Sequence, residues 1–426
     1  MQILIGGMLV LMLLGMPIAY ALGLSSLIYV ATCTDLSLMV VAQRVCVGAD
    51  SLVLLALPFF LLAGEIMNAA GITRSLTRLA LAIIGPPRGG LSYVVVAVNV
   101  LVAMVSGAAV ASAAAVGSTM VPMMEKQGYP RSFAAALNAA AATVGPIIPP
   151  SVGFIIYASV SGASVGKLFL AGTLPGVLLA FGVLAVCVLM AYRHGYPAGE
   201  RHNRRELWQS FREALPALLM PVIILGGIFG GLVTPTEAGA LAVGYGLLVG
   251  FVIYRTLHAR DLVRLLTVTA RRTASIMMII ACASCFGFLI SHAVDAERII
   301  GGVQAMTGSR TALLLLIGLI LVLGMFMEGG SIMIILTPLL LPMLAAYRID
   351  VVHFGVVFQL AIMIGLLTPP VGMLLFVLTG ISRVPVKMLV RSLWPFYILL
   401  AVILLAVAFV PELSLWLTRG AGDALK

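Results

Sequence analysis

The sequence predicts an all-α polytopic membrane protein built from two inverted repeats, each with a re-entrant hairpin and a broken helix. Three observations lead there. Of the 426 residues, 62% are hydrophobic and 9% charged, against roughly 25% charged in a soluble domain. Proline and glycine motifs recur at a constant offset in the two halves. The basic residues gather in a few connections, which fixes which side of a bilayer each segment faces.

With 25 Lys+Arg and 15 Asp+Glu, the chain has too few charges to clothe about three soluble domains. A soluble enzyme, a disordered chain and a nucleic-acid binder are excluded. The net charge of +10 is read as Lys and Arg concentrated on the cytoplasmic face. No Lys or Arg precedes Arg44, so the expected start is a retained first helix and not a cleaved signal with a basic n-region. Cys33, Cys46, Cys187, Cys282 and Cys285 sit within or beside apolar runs. The Cys282–Cys285 spacing lacks a second pair, so both are read as small core residues. The histidines form no metal-ligand spacing.

Spanning helices need about 20 apolar residues. They are expected over 2–22, 24–42, 51–70, 168–192, 214–230, 237–254, 273–292 and 386–410. The connection 193–213 carries Arg193, Arg201, Arg204, Arg205 and Arg212, and 255–272 carries Arg255, Arg260, Arg264, Arg271 and Arg272. Both are expected to be cytoplasmic, and the uncharged-by-cation link 231–236 outside. Two amphipathic connectors follow from the same count: 71–90 inside, with Arg74, Arg78 and Arg88, and 294–309 outside, with Asp295, Glu297 and Arg298. The N-terminus then falls outside.

The repeat is read from matched positions. Pro122 pairs with Pro342, Gly145 with Gly365, Pro149-Pro150 with Pro369-Pro370, Lys167 with Lys387 and Pro175 with Pro395. The topology gives the two copies opposite orientation. Residues 91–125 and 310–348 are each too long for one span and too short for two. Small or polar residues sit at their middles: Ser106-Gly107, and Glu328-Gly329-Gly330-Ser331. Both are expected to be re-entrant hairpins of two half-helices. Each is followed by a helix that a Pro-Pro pair interrupts, within Thr143–Ser151 and Gly365–Gly372. Irregular backbone at membrane depth survives only where protein or a cavity satisfies it. Matched interruptions in two inverted halves point to a transporter's binding site.

Opened helices expose carbonyls, which together with hydroxyls replace the water shell of Na⁺. Half-helix N-termini suit a carboxylate. The first expected ion site pairs Ser106 and Gly107 with Thr143, Gly145 and Pro146. The second pairs Glu328, Gly329, Gly330 and Ser331 with Gly365, Thr368 and Pro369. A solute cavity is expected among Ser106, Ser112, Pro149, Pro150, Ser151, Glu328, Ser331, Thr368 and Pro370. Glu328 is the acid most plainly placed at depth. Glu65 reads as lying near a helix end, and Glu237 as a helix N-terminal cap. The string from Gly162 to Leu168 lacks the spacing and final hydroxyl of a P-loop, so ATP hydrolysis is not expected of this chain. The overlapping GxxxG pairs Gly226/Gly230 and Gly227/Gly231 read as close helix packing.

The chain resembles the large membrane subunit, DctM type, of tripartite ATP-independent periplasmic (TRAP) transporters. The motifs that carry the likeness are Leu57–Met67, Ser106–Ser112, Gly145–Ser151, Gly166–Gly172, Pro235–Gly239 and Gly365–Gly372, and it extends over essentially the whole chain. It implies Na⁺ coupling, a small TRAP membrane subunit, a soluble periplasmic substrate-binding protein, and an organic acid as solute. It further implies an elevator-type secondary transporter of the bacterial inner membrane, with a moving transport domain on a static scaffold. On that plan 1–72 and 193–293 supply scaffold helices and the cytoplasmic loop, 73–90 and 294–309 interfacial arms, 91–192 and 310–410 the two transport halves, and 411–426 a tail. The chain departs from the family's frequent residues at Ala108, Ser112, Glu328-Gly329 and Leu374. The alternative is a stand-alone ion-coupled carrier of the same inverted-repeat superfamily, a dicarboxylate symporter or antiporter. A channel or an intramembrane enzyme would need pore-lining repeats, or a nucleophile–base pair or metal cluster; the sequence carries none of these.

Overall fold

The computed structural model describes residues 2–199, 203–293 and 308–420, and the regular structure among them is helical. In the first half the helices are α1 (Gln2–Leu13), α2 (Ile18–Cys33), α3 (Met39–Ala49), α4 (Ala56–Ala69), α5 (Ile72–Ile84), α6 (Gly90–Ser106), α7 (Ala109–Lys126), α8 (Arg131–Ala142), α9 (Val152–Ser161) and α10 (Val165–His194). In the second half they are α11 (Arg204–Phe229), α12 (Pro235–Leu248), α13 (Ala259–Ala293), α14 (Ser309–Gly324), α15 (Gly329–Ala346), α16 (Val351–Gly365), α17 (Met373–Ser382), α18 (Val386–Phe409) and α19 (Glu412–Gly420). Among the described residues, 6 helices are long and apolar enough to cross a membrane. The arm expected over 294–309 lies outside the described residues except at its last two positions.

The N-terminal segment differs from the expected pair of straight spans. The span over 2–22 is broken at Gly15–Pro17, where Gly15 takes a φ of +85°. Pro17 has no backbone N–H to continue the helix. The resulting α1 has 12 residues, about 18 Å at 1.5 Å per residue, short of a hydrocarbon core of about 30 Å. It packs against α2 instead. The span over 24–42 is likewise interrupted, between α2 and α3, and α3 meets α4 across a 54° bend. At the other end, part of the expected tail forms α19, whose Ser414 Oγ lies 2.7 Å from His353 Nδ1 on α16.

The repeat is legible element by element. The helices α7 and α15 have 18 residues each, with Pro122 and Pro342 inside them. The helices α9 and α17 have 10 each. Pro175 and Pro395 fall inside α10 and α18. The Pro149-Pro150 and Pro369-Pro370 bonds are both cis. Packing between the copies is reciprocal: α7 lies against α17 and α15 against α9, while α8 lies against α18 and α16 against α10.

The first hairpin returns to the side it left. Before α6, Gly89 N donates to Pro197 O at 3.0 Å. Beyond α7, the Tyr129 ring centre lies 4.5 Å from that of Tyr196. Both ends therefore reach the same short segment. Its arms, 17 and 18 residues long, reach about 26 Å each, longer than half of a hydrocarbon core of about 30 Å. The connections on which positive charge is concentrated are also drawn together. Arg78 pairs with Glu213 at 2.6 Å, Tyr254 Oη donates to Glu213 O, and Thr256 Oγ1 donates to Ala70 O at 3.0 Å.

A buried polar network ties the first hairpin to α8. Asn99 Nδ2 donates to Asn138 Oδ1 at 2.9 Å and to Val95 O at 2.9 Å. Asn138 Nδ2 donates to Ala113 O at 2.8 Å, and Ser112 Oγ donates to Asn99 Oδ1 at 3.0 Å. All three side chains are buried. Removing one amide strands its partners, at about 1 kcal/mol for a membrane helix contact. Asn138→Ala is expected to lower the apparent melting temperature of the detergent-purified protein by a few degrees; an unchanged melting curve would show that the network carries no stability.

Candidate functional site

Each hairpin tip is set against the interruption of the broken helix that follows it, and the two repeats do this in the same way. In the first, α6 ends at Ser106 and Gly107 turns the chain with a φ of +63°. A Cβ on Gly107 would stand 2.8 Å from Val152 Cγ2 and 3.1 Å from Val152 N, at the start of α9. A Cβ on Gly145 would stand 1.7 Å from Ala103 Cβ on α6. In the second, a Cβ on Gly365 would stand 2.7 Å from Gly324 Cα. Here two glycines let one backbone touch the other, a contact that any side chain would prevent. Gly372 N donates to Met325 O at 2.9 Å, so the chain after the second break is bonded to the second tip.

The expected residues of the first site come together. Thr143, Gly145, Pro146, Pro149, Pro150 and Ser151 are all buried. Thr143 Oγ1 donates to Ala140 O at 2.7 Å, leaving its lone pairs to accept a cation. The Ser106 Oγ is buried and has no hydrogen-bond partner among the described residues; a buried polar atom without a partner needs an explanation, such as an ion. The Pro146 carbonyl is more fully committed. It accepts from Ser151 Oγ and from Gln359 Nε2 at 3.4 Å. Ser151 also accepts from Phe154 N at 3.4 Å and so caps α9.

In the second site Gly329 and Ser331 are buried and Gly330 half-buried. A Cβ on Gly330 would stand 3.3 Å from Ile156 Cδ1, which places the second hairpin beside α9 of the first repeat. Thr368 Oγ1 donates to Ile364 O at 2.7 Å. Thr368 and Pro369 are half-buried, and Pro370 is exposed. Glu328 is the N-cap residue just before α15. Its side chain is exposed and makes no hydrogen bond or ion pair among the described residues. The second interruption is thus the more open of the two.

Three acids and one serine have other employment. Ser112 points its hydroxyl at Asn99 in the network above. Glu65 pairs with Arg272. Glu237 caps α12, as its T-P-T-E setting suggested: Thr234 N donates to Glu237 Oε2 at 2.7 Å and Glu237 N donates back to Thr234 Oγ1 at 3.3 Å. Asp350 caps α16 by accepting from Val352 N and His353 N. Cys187, Cys282 and Cys285 are buried free thiols.

Two site elements escaped the sequence reading. One is the glycine partner Gly324, whose significance depends on what faces it. The other is Gln359, which is 3% exposed on α16, a helix whose other polar side chain is His353 near its start. It crosses from the second repeat to the first interruption. A lone amide in an apolar helix was the available signal.

Gly365→Ala is expected to push the second tip off its break and reduce transport at least about tenfold. The size follows from overpacking costs of about 1–3 kcal/mol. Gly318→Ala, in α14 with open space around it, should transport normally. Equal activity of the two variants in vesicles would count against the tip–break contact.

Comparison with known proteins gives a consistent result. The family model described as the DctM component of the tripartite ATP-independent periplasmic transporter matches residues 5–413. The 2,3-diketo-L-gulonate TRAP transporter large permease protein YiaN of Escherichia coli is 39% identical over 94% of this chain and 94% of its own. The sialic acid TRAP transporter large permease protein SiaM of Vibrio cholerae is 36% identical over 96% of each. In fold, the chain resembles the Alcanivorax borkumensis YdaH transporter. The TM-score is 0.61 at 18% identity, covering 89% of this chain and 87% of that one. The chain belongs to the DctM family: it is the large permease subunit of a TRAP transporter, a membrane transport protein and not an enzyme.

Proposed function

We propose that this permease imports an organic acid across the bacterial inner membrane, driven by Na⁺. It would do so by elevator motion of the two hairpins and broken helices relative to the remaining helices. A small TRAP membrane subunit and a periplasmic substrate-binding protein complete the system, in keeping with the tripartite family name. The observation that carries the reading is the duplicated junction of hairpin tip and helix break. It gathers opened backbone, hydroxyls and half-helix N-termini where an ion and a carboxylate are best held. Two relatives named for acids, a gulonate and sialic acid, support the solute class.

In the proposed first site, Ser106, Gly107, Thr143 and Gly145 supply Na⁺ ligands, with Pro146 already shared between Ser151 and Gln359. In the second, Ser331, Gly365, Thr368 and Pro369 do so, flanked by Glu328, Gly329 and Gly330. The solute cavity lies at the more open second break, near Thr368 and Pro370, with the buried Pro149, Pro150 and Ser151 as its wall on the first repeat. Ser112 is left out, because its hydroxyl is engaged in packing.

Uptake into proteoliposomes should require an inward Na⁺ gradient and the cognate binding protein. Equal uptake with K⁺ in place of Na⁺ would refute the coupling. Uptake that proceeds without a binding protein would favour the stand-alone carrier. Thr368→Val is expected to leave the protein folded and reduce Na⁺-dependent uptake at least about a hundredfold, since a ligand hydroxyl is replaced by a methyl. Glu328→Gln should raise the Na⁺ or solute concentration for half-maximal uptake; unchanged titrations would make that acid structural.

A further inference from the structure

A cavity of about 480 Å³ opens between α4, α7 and α13, away from both tip–break junctions. Its lining includes Glu65 and Asn68 of α4, Ala115 of α7, and Arg264, Leu265 and Val268 of α13. Its size is in the range of about 300–1,000 Å³ typical of small-molecule sites.

The charge in it is unbalanced. Glu65 is already paired with Arg272, whereas Arg264 has no acidic partner among the described residues. Asn68 Oδ1 accepts from Thr73 Oγ1 at 3.3 Å, so the amide nitrogen remains to donate. The face of α13 that carries Leu265 and Val268 continues through Thr269, Arg272 and Thr273 at helical spacing. The hydroxyls of Thr269 and Thr273 are buried with no partner among the described residues. Their neighbour Thr267, off that face, makes the ordinary bond to the carbonyl four residues back, Val263 O, at 2.7 Å. The cavity thus holds an uncompensated cation and a free amide donor, while the two unsatisfied hydroxyls lie farther round α13, outside its lining.

We propose that this cavity binds a small carboxylate, gripped by Arg264 and Asn68, as a second solute station on the basic face of the protein. The proposal rests on the reading of the solute as an organic acid. Because Ala115 belongs to the first hairpin and the other lining residues to α4 and α13, an anion there bridges the parts that elevator motion would separate.

The test uses the full chain in phosphatidylcholine nanodiscs, with Cys33→Ser and Cys46→Ser removing the exposed thiols and Ala115→Cys as reporter. Labelling by N-ethylmaleimide is timed with succinate, gluconate or N-acetylneuraminate, against chloride at matched ionic strength. At least one carboxylate should slow labelling about tenfold, and Arg264→Gln should abolish that protection. Asn68→Leu serves where Arg264→Gln does not fold. No protection by any of the three, or protection that survives both substitutions, overturns the proposal. So does slowing that appears only when phosphatidylglycerol is added without solute, which would mark a lipid headgroup site. The assay contains neither Na⁺ nor binding protein, so its failure and a failure of Na⁺-coupled uptake are separately visible.

Discussion

The structure depends on the rule that a backbone polar group away from water must find a partner. Continuous helices obey it internally. The two hairpin tips and two Pro-Pro interruptions cannot, because proline and the turns end the ladder. The chain resolves this by setting each tip against the next break. Gly372 N bonds Met325 O, Ser151 caps α9 and reaches back to Pro146 O, Tyr397 Oη donates to Leu367 O, and Gln359 reaches over from the other repeat. The groups left over, above all the orphaned Ser106 hydroxyl, are those the proposed function assigns to the ion. The site is the residue of an unfinished hydrogen-bond account.

Close approach is the second requirement, and it explains why the glycines differ in consequence. At Gly365 and Gly324 the neighbour of each glycine is the other's backbone, so neither can move aside as a flexible side chain would. At Gly145 the neighbour is the small Ala103. The two junctions are equivalent in plan but unequal in cover. The first interruption is sealed within the protein, while the second leaves Pro370 exposed. An approximate twofold design thus yields one closed and one open junction in a single conformation.

Much of this was legible in the sequence. Composition alone carried the membrane class, the lengths of 91–125 and 310–348 with their small or polar middles marked the hairpins, and the offset of Gly145 from Gly365 matched the two breaks. These signals are strong because proline and glycine act through local backbone geometry. The N-terminal spans were misdrawn for the converse reason. Apolar runs look continuous whether or not a Gly-Met-Pro string bends them, and hydrophobicity outweighed the breaker. Ser112 was expected at the cavity because it is polar beside a tip. Its orientation toward Asn99 is decided by helix–helix packing that no periodicity encodes. Gln359 and Gly324 matter only through partners distant in the chain.

The reciprocal packing of α7 on α17 and of α15 on α9 bears on how the protein is made. When the ribosome has finished α7, at Lys126, its neighbour α17 still lies more than a full repeat downstream. At about 5–20 residues per second, the first hairpin waits tens of seconds in the bilayer before its counterpart exists. Until then its interrupted backbone has only local partners. The contacts between the halves therefore form only after the second repeat has been made, while the first hairpin already has α8 of its own repeat to pack against.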